Sequence, residues 1–178
     1  MVVSRSHKAA RKVNISKFIA SDADNKIIRS EFKRYDFGLN FAKPNPSYIH
    51  TVSDSSGIYL ITGEFGDEVL KVYVGKTTCF KRRLADYHRS FQVHSPNDRK
   101  MAFFQEWLST YRSNCSFVFN TLDVEREDLA KKERSWIDKL KPWVNVPPNC
   151  PNKGDVSGVE QAVTLYFSTF FQSRIDSL

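Results

Sequence analysis

Two short apolar runs, residues 57–63 (GIYLITG) and 69–75 (VLKVYVG), flank a polar stretch, residues 64–68 (EFGDE). Branched and aromatic residues dominate both runs, and Gly66-Asp67 is a tight-turn dipeptide. This arrangement predicts a β-hairpin, and the rest of the chain has to be built around it. Each run carries one tyrosine close to a glycine: Tyr59 follows Gly57-Ile58, and Tyr73 precedes Val74-Gly75. On neighbouring strands the two phenols are expected side by side.

The remaining pattern supplies partners for the hairpin. Thr77 or Thr78 is placed to cap a helix running to about Ser90, with Phe80, Leu84, Tyr87 and Phe91 as its apolar stripe. A Pro-containing break over 94–98 precedes a second helix over 100–111. Residues 115–122 read as a third strand. Asp123 is placed to cap a long helix to about Leu140, with Glu125, Glu127 and Asp128 near its positive end. Pro142 stops that helix. The order β-β-α-α-β-α predicts an α/β (α+β) fold, a small three-stranded, mainly antiparallel sheet flanked by helices.

Additions are expected at both ends. Residues 1–54 read as a basic extension: a basic lead over 1–13, one or two short helices over 14–37 broken near 21–24, then a linker over 38–56. The core is expected over 55–147, and 148–178 as a loop followed by a packed helix over 159–173. The first 50 residues hold ten Lys/Arg against four Asp/Glu, while residues 51–178 hold seventeen against sixteen. A strongly basic arm on a near-neutral body suits a polyanionic partner, because neutralised phosphates release counterions. Arg5, Lys8, Arg11 and Lys12 are its candidate phosphate contacts. Three widely spaced cysteines, Cys79, Cys115 and Cys150, argue against a disulfide framework or a zinc site. No stretch has the length of a membrane helix or the apolar centre of a secretion signal. The expected location is cytoplasmic or nucleoid-associated.

At Gly57-Ile58-Tyr59, Tyr73-Val74-Gly75, Arg83, Glu133 and Asn145, the chain resembles the GIY-YIG nuclease family. The resemblance covers roughly residues 55–147. It implies metal-dependent hydrolysis of a DNA phosphodiester. It also implies roles. Arg83 falls where the family keeps a helical arginine, suited to gripping phosphate oxygens in parallel. Lys76 follows the second tripeptide, as in many members, to hold a phosphate or stabilise a phenolate. Glu133 corresponds to the glutamate that would bind Mg²⁺ or Mn²⁺, an ion that needs few protein ligands. Asn145 corresponds to a supporting asparagine, and Tyr87 to a residue near the scissile phosphate. His88 and His94 are weaker candidates, with His94 the better placed. Tyr59 and Tyr73 are both candidates for the general base. Each residue also has a plainer reading: strand tyrosines packing in the core, an exposed basic turn, a surface glutamate paired with a lysine.

The expected function is a small metal-dependent DNA endonuclease, restriction-like or borne by a phage or mobile element, acting as a monomer or homodimer. The alternatives are a structure-specific repair or recombination nuclease, and a non-catalytic DNA-binding or adaptor module on the same fold. Retention of Arg83 and Glu133 together favours the enzyme.

Overall fold

The computed structural model describes residues 18–36, 50–88 and 115–145. The hairpin forms as expected, from strand β2 (Gly57–Phe65) and strand β3 (Glu68–Thr77). Gly66 turns the chain at φ 56°, a left-handed conformation that glycine adopts without steric cost. Strand β4 (Cys115–Asp123) pairs along the other side of β2 over its whole length.

Among the described residues the sheet has four antiparallel strands, not three, in the order β1-β4-β2-β3. The added strand β1 (Lys33–Tyr35) comes from the N-terminal region. Two of its three residues are charged, so it carries no alternating signal. Its strand character comes from pairing with Phe119–Thr121 of β4. Helix α1 (Asp22–Glu31) precedes it. The stretch expected as a break is the start of this helix. Ser21 Oγ accepts from the Asp24 N–H and the Asp24 carboxylate accepts from the Ser21 N–H, each at 3.1 Å.

Residues 18–36 thus form a strap anchored at both edges of the sheet. At one end Phe18 C=O accepts from Lys71 N–H (2.9 Å) and Ala20 N–H donates to Val69 C=O (2.7 Å), on the outer edge of β3. At the other end β1 lines the outer edge of β4. Ten helical residues reach about 15 Å. Three interstrand gaps span about 14 Å. The helix has the length needed to cross. Phe18, Ile28, Phe32 and Tyr35 are buried, so the strap shares the core of the strands.

Helices cover both faces of the sheet. On one face lie α1 and helix α3 (Leu129–Leu140), whose Ile28, Phe32, Leu129, Trp136 and Leu140 pack on Ile58, Leu60 and Val74. The Phe32 and Trp136 rings meet edge-on, with centroids 4.9 Å apart. On the other face, helix α2 (Phe80–His88) buries Phe80 and Leu84. Phe80 meets Phe119 edge-on at 6.4 Å. Gly57 is needed there, because a Cβ would lie 2.1 Å from Leu122 O and 2.4 Å from Phe80 Cζ. Truncating a fully buried residue such as Leu60 to alanine would cost about 2–5 kcal/mol.

Two expected caps are corrected. Cys79, not Thr77 or Thr78, precedes α2, and its sulfur accepts from Arg82 N–H at 3.4 Å. Asp123 ends β4 and accepts from Ser55 Oγ at 2.7 Å. A 3₁₀ turn, Arg126–Asp128, leads into α3. The helix closes on Lys141 at φ 48°, immediately before Pro142. No helix among the described residues is long and apolar enough to cross a membrane. The expected basic lead over 1–13, the helix over 100–111, His94 and the helix over 159–173 lie outside the described residues.

Candidate active site

A two-residue hairpin turn alone would have put Tyr59 and Tyr73 on opposite faces of the sheet. Near the turn Phe65 pairs with Glu68 and Thr62 with Lys71. Continued without interruption, that register would set Tyr73 against Leu60. Instead the register shifts between Ile61 and Thr62, and Val72 is passed over. Beyond this bulge Ile61 pairs with Tyr73 and Tyr59 with Gly75. Residues directly opposite share a face. The extra residue therefore brings both tyrosines to the α2 face and sends Lys71 to the α1 face. Re-aiming side chains is what a bulge does.

On the α2 face the tyrosine rings lie 5.9 Å apart at 54°. Tyr59 stacks on Phe119 at 5.2 Å and is 1% exposed. Its phenol lies over Gly75, where a Cβ would come within 2.4 Å of both Cζ and the hydroxyl oxygen. Gly75 thus makes room for the Tyr59 ring. Arg83 reaches in from the first turn of α2. Its Nε donates to the Tyr59 hydroxyl at 3.0 Å, with the guanidinium 5.9 Å from the ring centre. The neighbouring basic residues point elsewhere: Arg82 Nη2 donates to Thr78 Oγ1 (2.9 Å) and Lys81 pairs with Asp54 (3.5 Å). Tyr87 falls on the last turn of α2, but its side chain is not among the described ones, nor is that of His88.

Lys76 and Glu133 meet on the opposite face. Lys76 pairs with Ile58 in the ladder, so it points to the α3 side. Its Nζ lies 2.6 Å from Glu133 Oε2, with side chains 43% and 21% exposed. The glutamate's lysine partner is therefore on a strand, not on its own helix. Asn145 sits in the 3₁₀ turn Trp143–Asn145 and holds the outer edge of β3. Its Oδ1 accepts from Val74 N–H (2.8 Å) and its Nδ2 donates to Val74 C=O (2.9 Å). A side-chain amide here takes the place of a neighbouring strand.

The expected residues thus fall into two groups of neighbours. Tyr59, Tyr73 and Arg83 gather on one face; Lys76 and Glu133 join on the other; Asn145 clamps the strand between them. Arg5, Lys8, Arg11 and Lys12 lie outside the described residues. Among the described residues, no group of three or more His, Cys, Asp or Glu is arranged to hold a metal ion. A lone carboxylate still suits Mg²⁺ when phosphate oxygens and waters complete the shell. At Glu133 the ion would have to share or displace Lys76.

Two features of this region had no clear sequence signal. One is the role of Gly75, which depends on the bulged register. The other is the ion pair of Lys71 Nζ with Asp24 Oδ2, 2.6 Å apart and largely buried. Burial is the largest influence on the Asp24 carboxyl and opposes its ionisation. The Lys71 ammonium and the Ser21 amide outweigh it and hold its pKa below the ordinary 3.8.

No family model, no curated protein and no solved structure matches the chain.

Proposed function

We propose that the chain is a metal-dependent DNA endonuclease that hydrolyses phosphodiester bonds in the manner of the GIY-YIG nucleases it resembles. The observation that carries this reading is the Arg83–Tyr59 hydrogen bond over Gly75. It joins a helical arginine to the first tyrosine, across the glycine that follows the second. Phosphodiester hydrolysis needs a cation for the nonbridging oxygens, a base for the water and a neutralised leaving oxygen. Arg83 is assigned the nonbridging oxygens, for which a guanidinium fork is well shaped. Tyr59 fixes the orientation of that fork. A guanidinium donating to a phenol oxygen favours the phenolate, while burial opposes it. Tyr59 and Tyr73 both stay candidates for the base. Glu133 is assigned to hold Mg²⁺ or Mn²⁺, which when bound would neutralise charge on the phosphate and leaving oxygens. Lys76 is assigned to keep the Glu133 carboxylate in position beside β3.

A second reading has its own support. Lys76 already neutralises Glu133, and Arg83 and Glu133 lie on opposite faces of the sheet. Both suit a module that binds DNA without cutting it. Incubation with supercoiled, linear and branched DNA separates the two. Nicking or linearisation that requires Mg²⁺ or Mn²⁺ and stops with a chelator is the expected result. Tight DNA binding with no cleavage in either ion would select the binding module.

A further inference from the structure

The exposed side of α3 carries Lys131, Lys132, Arg134 and Lys139, and Lys141 follows at its cap. Asp138 is the one exposed acid over the same stretch. The other acid, Glu133, is taken up by Lys76. None of the five basic residues forms an ion pair among the described residues. Lys139 lies 4.7 Å from the Trp136 ring centre, and its charge faces outward with the rest.

Helix stability accounts for Lys139 and Lys141 at the C-terminal end but not for Lys131, Lys132 and Arg134. A helix N-terminus favours acids and disfavours bases, because its unpaired N–H groups carry partial positive charge. Helix α1 follows that rule, with Asp22 and Asp24 in its first turn and Arg29 in its last. Helix α3 breaks it. The acids at its start, Glu127 and Asp128, stand ahead of the first turn in the 3₁₀ segment, and Lys131 and Lys132 follow within the helix where the dipole opposes them. Cations kept at a local cost point to an external anion.

We propose that the exposed face of α3 is the surface that grips the phosphate backbone of duplex DNA. The choice of DNA rests on the function proposed above. The geometry suits it: twelve residues of helix run about 18 Å. One strand of duplex places a phosphate about every 3.4 Å along the axis. The helix is long enough to follow about five of them. Glu133 belongs to the same helix but is turned toward β3, where Lys76 holds it.

The test measures binding of the full chain to a short DNA duplex in a chelator, across a range of salt. The α3 variant is Lys131→Gln/Lys132→Gln/Arg134→Gln, and the control on α1 is Lys26→Gln/Arg29→Gln. All five positions are exposed, so both variants are expected to melt with the unmodified chain. Each lost phosphate contact should lower the salt slope by about 0.9, so the α3 variant should lose about 2–3. The α1 control should keep its slope. Asp138→Asn should bind slightly tighter. Equal slopes for the α3 variant and the unmodified chain would overturn the proposal, as would equal losses in the control. Tighter, α3-dependent binding to anionic vesicles or to duplex RNA would also overturn it. Cleavage is not read in this experiment. A chain that grips DNA through α3 but never cuts it refutes the nuclease and leaves this surface standing.

Discussion

The two faces of the sheet solve different problems with the same strand. The α2 face is aromatic: Tyr59, Tyr73, Phe80 and Phe119 surround one inward-reaching cation, Arg83, tied to a phenol. The α1/α3 face is aliphatic at its centre, with ion pairs at its margins, Lys71–Asp24 and Lys76–Glu133. Strand β3 feeds both, and the bulge at Val72 decides which residue goes where. The Arg83 guanidinium and the Glu133 carboxylate thus stand on different faces. If they serve a single reaction, the substrate has to bridge the end of β3, where Gly75 belongs to one face and Lys76 to the other.

The largest effects come from testing whether the faces cooperate. Glu133→Gln removes the charge of the sole carboxylate assigned to the ion, and Mg²⁺-dependent cleavage should vanish while DNA binding persists. Arg83→Ala should slow cleavage about a hundred- to thousandfold, about 2.7–4 kcal/mol. If the faces act as one site, the double variant should be no slower than Glu133→Gln alone, since groups working as a unit are not additive. Residual activity of Glu133→Gln that Arg83→Ala multiplies down would separate the faces into independent sites.

Stability changes should follow the same division. Asp24→Ala leaves the buried Lys71 ammonium unpaired and removes half a capping box, a loss of about 3 kcal/mol by denaturant titration. Lys71→Met should cost less, because the Asp24 carboxylate keeps 20% exposure against 6% for Lys71 and retains its Ser21 hydrogen bonds. The pH dependence has a fixed sign. With its folded pKa lowered, Asp24 contributes its full stability above about 3.8, and loses it as pH falls through the lower folded value. Asp24→Asn should therefore flatten the acid limb of the stability curve and leave the neutral region parallel.

On the other face, Gly75→Ala drives a methyl into the Tyr59 ring. A cost of about 1–3 kcal/mol is expected, together with lost cleavage as the phenol leaves Arg83. A variant that melts normally and cuts normally would show that the Tyr59 position is unimportant. Smallest of all, Lys76→Met should change melting by less than about 1 kcal/mol, because the Lys76–Glu133 pair is partly exposed.

Much of the fold was legible because period and punctuation agreed. The hairpin, the strand ending near Leu122 and the helix stopping before Pro142 were all local readings. Strand β1 was not, since three residues hold too little pattern and pairing with β4 decides their state. The bulge was also hidden: Val72 is as good a strand residue as its neighbours, and nothing in it announces a skipped pairing. The candidate site was legible as a set of residue types, of which Tyr59, Tyr73 and Arg83 lie together. Its division between faces was not, because parity on β3 cannot be counted through an unseen bulge. The cap at Cys79 escaped for a simpler reason: thiols are weak acceptors and two threonines stood beside it.

The strap over 18–36 sets an order of events during synthesis. It leaves the ribosome ahead of the hairpin, yet its strand partner begins at Phe119, and its helix packs on Trp136 and Leu140. Until those residues emerge, Ile28 and Phe32 have no complete surface to bury against. A segment made before its partners is fastened after them, so the hairpin and β4 must meet and hold while its apolar side chains wait in water. Slow translation before residue 140 would prolong that exposure.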